Sequence, residues 1–217
     1  TKHMLKRTPT LMDGSAIVTG ILLAMNLPSN LPVFMVIIGA FVAIAIGKMS
    51  FGGLGQNLFN PALVGRVFLL ISFPAAMTTW PVPKALTIIP DGTTGATPLG
   101  IIKEGIRNGE KVPDLLDQMP TMLDMFLGNM GGSFGEMSAI AILLGLAYMM
   151  YKKVVTWHVP VSLVATVAII TGIMHWVDPD KYADPLFHVL TGGLLLGAVV
   201  MATDMVASPM TGKGTLV

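Results

Sequence analysis

Apolar residues fall along this chain in long blocks separated by short polar breaks, and one polar interval, 79–132, is far longer than the others. The blocks at 14–27, 32–47, 62–77, 133–151, 154–177 and 185–203 are nearly free of charge, which predicts helices buried on every side or facing lipid. At roughly 1.5 Å per residue the first block reaches about 20 Å, short of a hydrocarbon core of about 30 Å, so it predicts a re-entrant half-helix. The block at 32–47 spans when tilted, and Lys48 ends it. Asn60 before Pro61 predicts the start of the next helix, an Asn N-cap followed by proline at the first helical position. Arg66 lies inside that helix, where a lone arginine needs a partner, a cavity or the interface. Ser133-Phe134-Gly135-Glu136 has the form of a capping box and predicts a helix running from there to Tyr151. The block at 154–177 is a full-length span, and 185–203 is the last one, ending at Asp204. Within the polar interval, Lys103, Glu104, Arg107, Glu110 and Lys111 predict a short amphipathic surface helix.

Composition turns this pattern into a class. Hydrophobic residues make up 53% of the 217 and charged residues only 12%, about half of what a soluble domain carries. The chain reads as an all-α polytopic membrane protein forming one membrane domain over 1–217. A net charge of +1 without a basic stripe argues against a nucleic-acid partner. With no cysteine, disulfides, thiolate zinc sites and a cluster held by this chain's own thiolates are excluded. His158 and His175 lack metal-ligand spacing. The basic opening at 1–7 and the close at 211–217 predict a piece of a longer chain.

Charge then orients the blocks. Lys2, Lys6, Arg7, Lys48, Lys152, Lys153 and Lys213 fall on one side against Asp13 and Asp204, while most acids fall on the other. The first side is expected to be cytoplasmic, which places 79–132 outside. Residues 18–23 resemble 190–195, a short internal similarity that suggests two halves with interrupted helices and a midplane site.

Two stretches carry candidate chemistry. Phe51-Gly52-Gly53-Leu54-Gly55-Gln56-Asn57-Leu58-Phe59-Asn60-Pro61 combines glycines that permit close approach with two Asn amides beside apolar walls. Asp91-Gly92-Thr93-Thr94-Gly95-Ala96-Thr97-Pro98 is a turn signal when taken alone. It also resembles the signal by which a flavin transferase attaches FMN, through its phosphate, to the last threonine, here Thr97. In that resemblance Asp91, Thr94, Gly95 and Ala96 belong to the attachment motif.

Together these segments, with Asp13-Gly14-Ser15-Ala16, residues 72–80 and Met201-Ala202-Thr203-Asp204, resemble the D-subunit (RnfD) family of the Rnf electron-transport complex. Its close relative is the B subunit (NqrB) of the sodium-translocating NADH:quinone reductase. The resemblance covers essentially the whole chain, and departs from the family at Met205, where proline is usual and whose replacement would let the helix run past Asp204. It implies a urea-transporter-like helical bundle with inverted repeats and re-entrant half-helices, present here as a fragment. It implies covalent FMN on Thr97, a noncovalent riboflavin placed near Asn57 and Asn60, and Asp204 in an ion pathway. It further implies a bacterial or archaeal inner-membrane subunit, not catalytic alone, relaying electrons between ferredoxin and NAD coupled to Na⁺ or H⁺ movement. The partners implied are the other Rnf subunits (A, B, C, E and G), the flavin transferase and membrane lipid. A channel or transporter for a small polar solute on the same fold, and a structural scaffold, are the competing functions.

Overall fold

Four helices open at a residue followed by proline: Asn60-Pro61, Phe73-Pro74, Thr97-Pro98 and Asp184-Pro185. Proline excludes the preceding residue from the α region while suiting the first helical position itself, so each pair writes a boundary into the chain. The structure, a computed structural model, describes residues 13–81, 94–133, 135–204, 206 and 214. Its helices are α1 (Ser15–Met25), α2 (Val33–Phe41) continuing as a π-helical segment (Val42–Met49), α3 (Pro61–Ser72) and α4 (Pro74–Met77). After a two-residue antiparallel ladder of β1 (Trp80–Pro81) and β2 (Thr94–Gly95) come α5 (Pro98–Asn108), α6 (Val112–Leu116), α7 (Met122–Leu127), α8 (Ala139–Tyr151) and α9 (His158–Val177). The chain ends with α10 (Pro185–Leu190), α11 (Leu194–Leu196) and a second π-helical segment (Gly197–Met201).

These elements form two halves with separate apolar cores. In the first, α3 packs on α1, α2 and the π segment around Leu23, Leu27, Ala43, Ala62 and Leu69. Approach is close because Gly65 has no side chain: a Cβ there would lie 2.8 Å from the carbonyl oxygen of Gly39 and 2.9 Å from Cβ of Ala43. In the second, α5 to α11 surround Ile102, Val112, Leu115, Met125, Phe187, Leu196 and Val199. The polar interval is thus built of helices that supply part of this core. Outside, the surface is apolar: Trp176 on α9 is 87% exposed and Ile71 on α3 76%. Among the described residues α9, with 20 residues, is the one helix long and apolar enough to cross a membrane by itself. This is the largely helical architecture expected of a membrane protein.

Several boundaries differ from those expected. The helix expected from Ser133 begins at Ala139, capped by Ser138, whose Oγ accepts from the Ala141 N–H at 3.3 Å. Ser133 is fully buried, and Gly135 N–H donates instead to the Met25 carbonyl at 2.8 Å, so a tertiary bond to the end of α1 overrides the local cap. The helix expected over 62–77 breaks at Phe73, which Pro74 forces to φ −135° and ψ 58°. The last span breaks at 191–193, where Gly192 takes φ +71°. It ends at Met201 and so does not run past Asp204. The similarity between 18–23 and 190–195 joins unlike structures, since Thr19 and Gly20 lie inside the unbroken α1. The ladder also adds a strand pair to an architecture expected to be wholly helical.

Candidate functional site

A cavity of about 1230 Å³ lies between the halves. The first half contributes Asn26, Val42, Ile46, Phe59, Asn60 and Arg66, and the second Leu163, Leu194, Ala198 and Met201. Its polar groups come from places where helices start, end or break. Asn60 caps α3, its Oδ1 accepting from the Ala62 N–H at 3.0 Å, as the Asn-Pro pair predicted. Asn26 follows the end of α1, is buried, and its Nδ2 donates to the Leu22 carbonyl at 2.7 Å and reaches Sδ of Met201 at 3.7 Å. That last contact crosses from one half to the other.

Arg66 finds the partners its position demanded. One guanidinium nitrogen donates to Asn26 Oδ1 at 3.0 Å, and another lies 3.5 Å from Glu136 Oε1. The Glu136 side chain is only 5% exposed, so a buried carboxylate of the second half faces a cation of the first. Breaking such a pair strands a charge in a medium of low dielectric, and the cost falls on the remaining partner. Gly193, in the break of the last span, makes room for it: a Cβ there would lie 2.6 Å from Glu136 Oε1.

Sequence reasoning missed Glu136 and Asn26. Glu136 is the sole acid between Asp124 and Asp178, and Asn26 is the last polar residue of an apolar block. Both facts single them out as side chains that must be paired inside. Of the two asparagines expected near a flavin, only Asn60 lines the cavity. Asn57 is buried and spends its Nδ2 on the Phe59 carbonyl at 3.0 Å, which fixes the backbone of a lining residue.

Thr97 lies elsewhere, at the N-cap of α5 in extended conformation, as Pro98 requires. Its Oγ1 accepts from the Gly100 N–H at 3.1 Å, the residue is half-buried, and Ala96 beside it is exposed. Thr94 and Gly95 pair with Pro81 and Trp80, which ties the attachment motif to a buried tryptophan. Asp91 and Thr93 lie outside the described residues, as does Phe134. The helix behind Thr97 is in touch with the cavity's charged pair through one break: a Cβ on Gly192 would meet Leu99 at 2.8 Å, and Gly193 adjoins Glu136.

Asp204 is not brought into the cavity. Its Oδ1 accepts from the Val206 N–H at 3.2 Å, and it acts electrostatically with Asp13 on Lys48, which is buried. The three groups therefore share one end of the molecule, as their side of the charge pattern requires. The Asp13 carboxyl is held below its ordinary value, chiefly by hydrogen bonds from the hydroxyl and N–H of Ser15. Beside α6, Lys111 bonds Asp180 at 2.8 Å, and this hydrogen bond raises its ammonium above the usual lysine value. Among the described residues no group of acids and histidines could hold a metal ion.

The family model described as the NQR2, RnfD, RnfE family matches residues 1–217. The chain is 47% identical over 209 residues to the D subunit of the proton-translocating ferredoxin:NAD(+) oxidoreductase complex of Clostridium ljungdahlii, covering 96% of this chain and 62% of that protein. It is 42% identical over 218 residues to the D subunit of the Na(+)-translocating ferredoxin:NAD(+) oxidoreductase complex of Acetobacterium woodii, covering 100% and 62%. To the D subunit of the ion-translocating oxidoreductase complex of Stutzerimonas stutzeri it is 39% identical over 225 residues, covering 95% and 64%. The chain thus spans a little under two thirds of the length of these relatives.

Proposed function

We propose, from the premise that this chain belongs to the NQR2, RnfD, RnfE family, that it is the membrane-embedded part of the D subunit of an ion-translocating ferredoxin:NAD⁺ oxidoreductase. In this reading it carries FMN on Thr97 and a noncovalent riboflavin in the cavity between the halves, and it works only with the other Rnf subunits. The translocated ion is a monovalent cation, Na⁺ or H⁺, since the names of the relatives include both. The finer architecture proposed is urea-transporter-like with inverted repeats, supported by the short α1, the interrupted last span and the cavity between halves.

The observation that carries the reading is the attachment motif ending on a threonine that sits at a helix N-terminus. Thr97 suits a phosphoester. Its neighbour Ala96 is exposed, and the first turn of α5, an 11-residue helix, favours negative charge. Asn60 and Arg66 present amide and guanidinium groups to a cavity large enough for a flavin ring, so the residues there fit the second group. Bound flavins supply one- and two-electron redox chemistry; the chain supplies attachment, orientation and a water-poor setting. Asp204, with Lys48 and Asp13, is proposed to shape cation entry at the inner end, and the 79–132 interval to lie outside the membrane.

Because Thr97 also caps α5, Thr97→Val removes both the acceptor and the cap, whereas Thr97→Asn keeps a capping oxygen. Both variants should lose the flavin fluorescence that survives denaturing gel electrophoresis, with Thr94→Val retaining it. Fluorescence retained in Thr97→Asn would refute the attachment. A transporter reading is favoured by the cavity and the broken span; a purified protein with no flavin absorbance would select it. For orientation, cysteine at position 103 should react with an impermeant reagent in intact cells, and reaction only after lysis would reverse it.

A further inference from the structure

Five N–H groups project from a guanidinium, and among the described residues those of Arg66 have two acceptors, Asn26 Oδ1 and Glu136 Oε1. Arg66 lines the cavity between the halves and its side chain is 29% exposed; Glu136 does not line it. The carboxylate therefore stands behind the guanidinium as seen from the cavity. We infer that Arg66 is the residue that grips the polar edge of the cavity's occupant, a planar ligand edged with carbonyl oxygens, and that Glu136 is the positioning residue that aims it. The inference rests on the reading above that such a ligand occupies this cavity.

The chemistry of the occupant follows from what surrounds the pair. The walls are apolar, formed by Val42, Ile46, Leu63, Val67, Leu194 and Ala198, and suit a flat apolar body. Arg66 is the one charged group lining the cavity among the described residues, with the amides of Asn26 and Asn60 beside it. With Glu136 at 3.5 Å the net charge at this point is near zero, so a fully anionic head gains little there. A neutral ligand presenting carbonyl acceptors gains charge-assisted hydrogen bonds and leaves the ion pair intact. Gly193 keeps the arrangement possible, since a side chain there would displace the carboxylate by overlap with Oε1. The break in the last span thus shapes the binding group as well as the backbone.

Isoalloxazines and membrane quinones share this carbonyl-edged chemistry, and the test separates them. Full-length protein, stripped of noncovalent flavin, is titrated with riboflavin and, separately, with a short-chain ubiquinone. The variants are Arg66→Gln, Arg66→Lys, Glu136→Gln and the neutral double variant Arg66→Gln/Glu136→Gln. Thr97-linked fluorescence on a denaturing gel and a monodisperse elution profile report on folding. The double variant keeps the test alive where Arg66→Gln alone strands a buried carboxylate. Loss of hydrogen bonds from a charged donor should weaken riboflavin binding about tenfold or more in Arg66→Gln and in the double variant. Arg66→Lys should recover only part of it, lacking the planar fork. Glu136→Gln, which keeps an acceptor behind Arg66, should weaken it less than Arg66→Gln does. Ubiquinone binding that depends on Arg66, with no riboflavin binding, would uphold the role of Arg66 and overturn riboflavin as the occupant. Folded Arg66→Gln or double variant that binds either probe as the parent does would overturn the inference itself.

Discussion

The two halves of the molecule solve the same problem, packing helices in a membrane, by different means. The first uses small residues: Gly39, Ala43 and Gly65 let α2, its π segment and α3 approach until backbone touches backbone. The second packs large side chains such as Phe187, Met125 and Leu196, and breaks its helices to fit. Between them lies a cavity crossed by one ion pair. Contacts of the first kind have no slack, because a carbonyl cannot rotate away. Contacts of the second kind end in flexible side chains that can. The rigid half thus serves as a base, and the half with the breaks holds the groups whose position matters for a ligand.

This contrast can be broken most severely at Gly65. Gly65→Val should cost about 1–3 kcal/mol or prevent folding, since the new side chain meets the Gly39 carbonyl. Thermal unfolding of the purified protein measures it, and an unchanged midpoint would show that the first half has slack after all. Gly193→Ala in the second half should shift the midpoint less, because the Glu136 side chain can move aside, yet it should weaken flavin retention by disturbing Arg66. A stability loss matching that of Gly65→Val would erase the distinction.

Smaller still is the effect expected at α7, where Thr121 Oγ1 accepts from the Asp124 N–H at 3.2 Å and donates to its carboxylate at 2.7 Å. That hydrogen bond holds the Asp124 carboxyl below its ordinary value. A lowered carboxylate contributes stability above the unfolded value, near 4, and loses it as pH falls through the folded value. Melting profiles should therefore show an acid-side loss that Asp124→Asn removes; identical profiles would sink the assignment. Smallest of all, Lys111→Ala should leave thermal stability unchanged within error at moderate salt, since its bridge to Asp180 is exposed on both sides.

How much of this is legible in the sequence follows the same division. The Asn60-Pro61 start, the extended Thr97 before Pro98, the amphipathic α5 and the short α1 can all be read there, because each is decided within a few residues. The start at Ser133 misleads for the opposite reason. Serine and glutamate stand at capping-box spacing, but Gly135 bonds to the Met25 carbonyl, more than a hundred positions away in sequence, and carries Glu136 to Arg66. Of the candidate site, Arg66 announces that it needs a partner without revealing which. Asn60 lines the cavity as expected, whereas Asn57 stands one residue layer further back, since its amide serves the backbone of Phe59.

The two π-helical segments each carry one more residue per turn than an α-helix would, and both face the cavity, through Val42 and Ile46 on one side and Gly197, Ala198 and Met201 on the other. Read as genetic events, each is an insertion that the fold has absorbed without lengthening its helix by a full turn. Deleting one residue from either should restore α-helical winding and turn everything beyond it by about 100°. Lys48 would swing in the first case and Asp204 in the second. A single-codon deletion would thus redirect a charge at the inner end of the molecule while leaving the apolar cores in register, a change of aim that no point substitution at those residues can imitate.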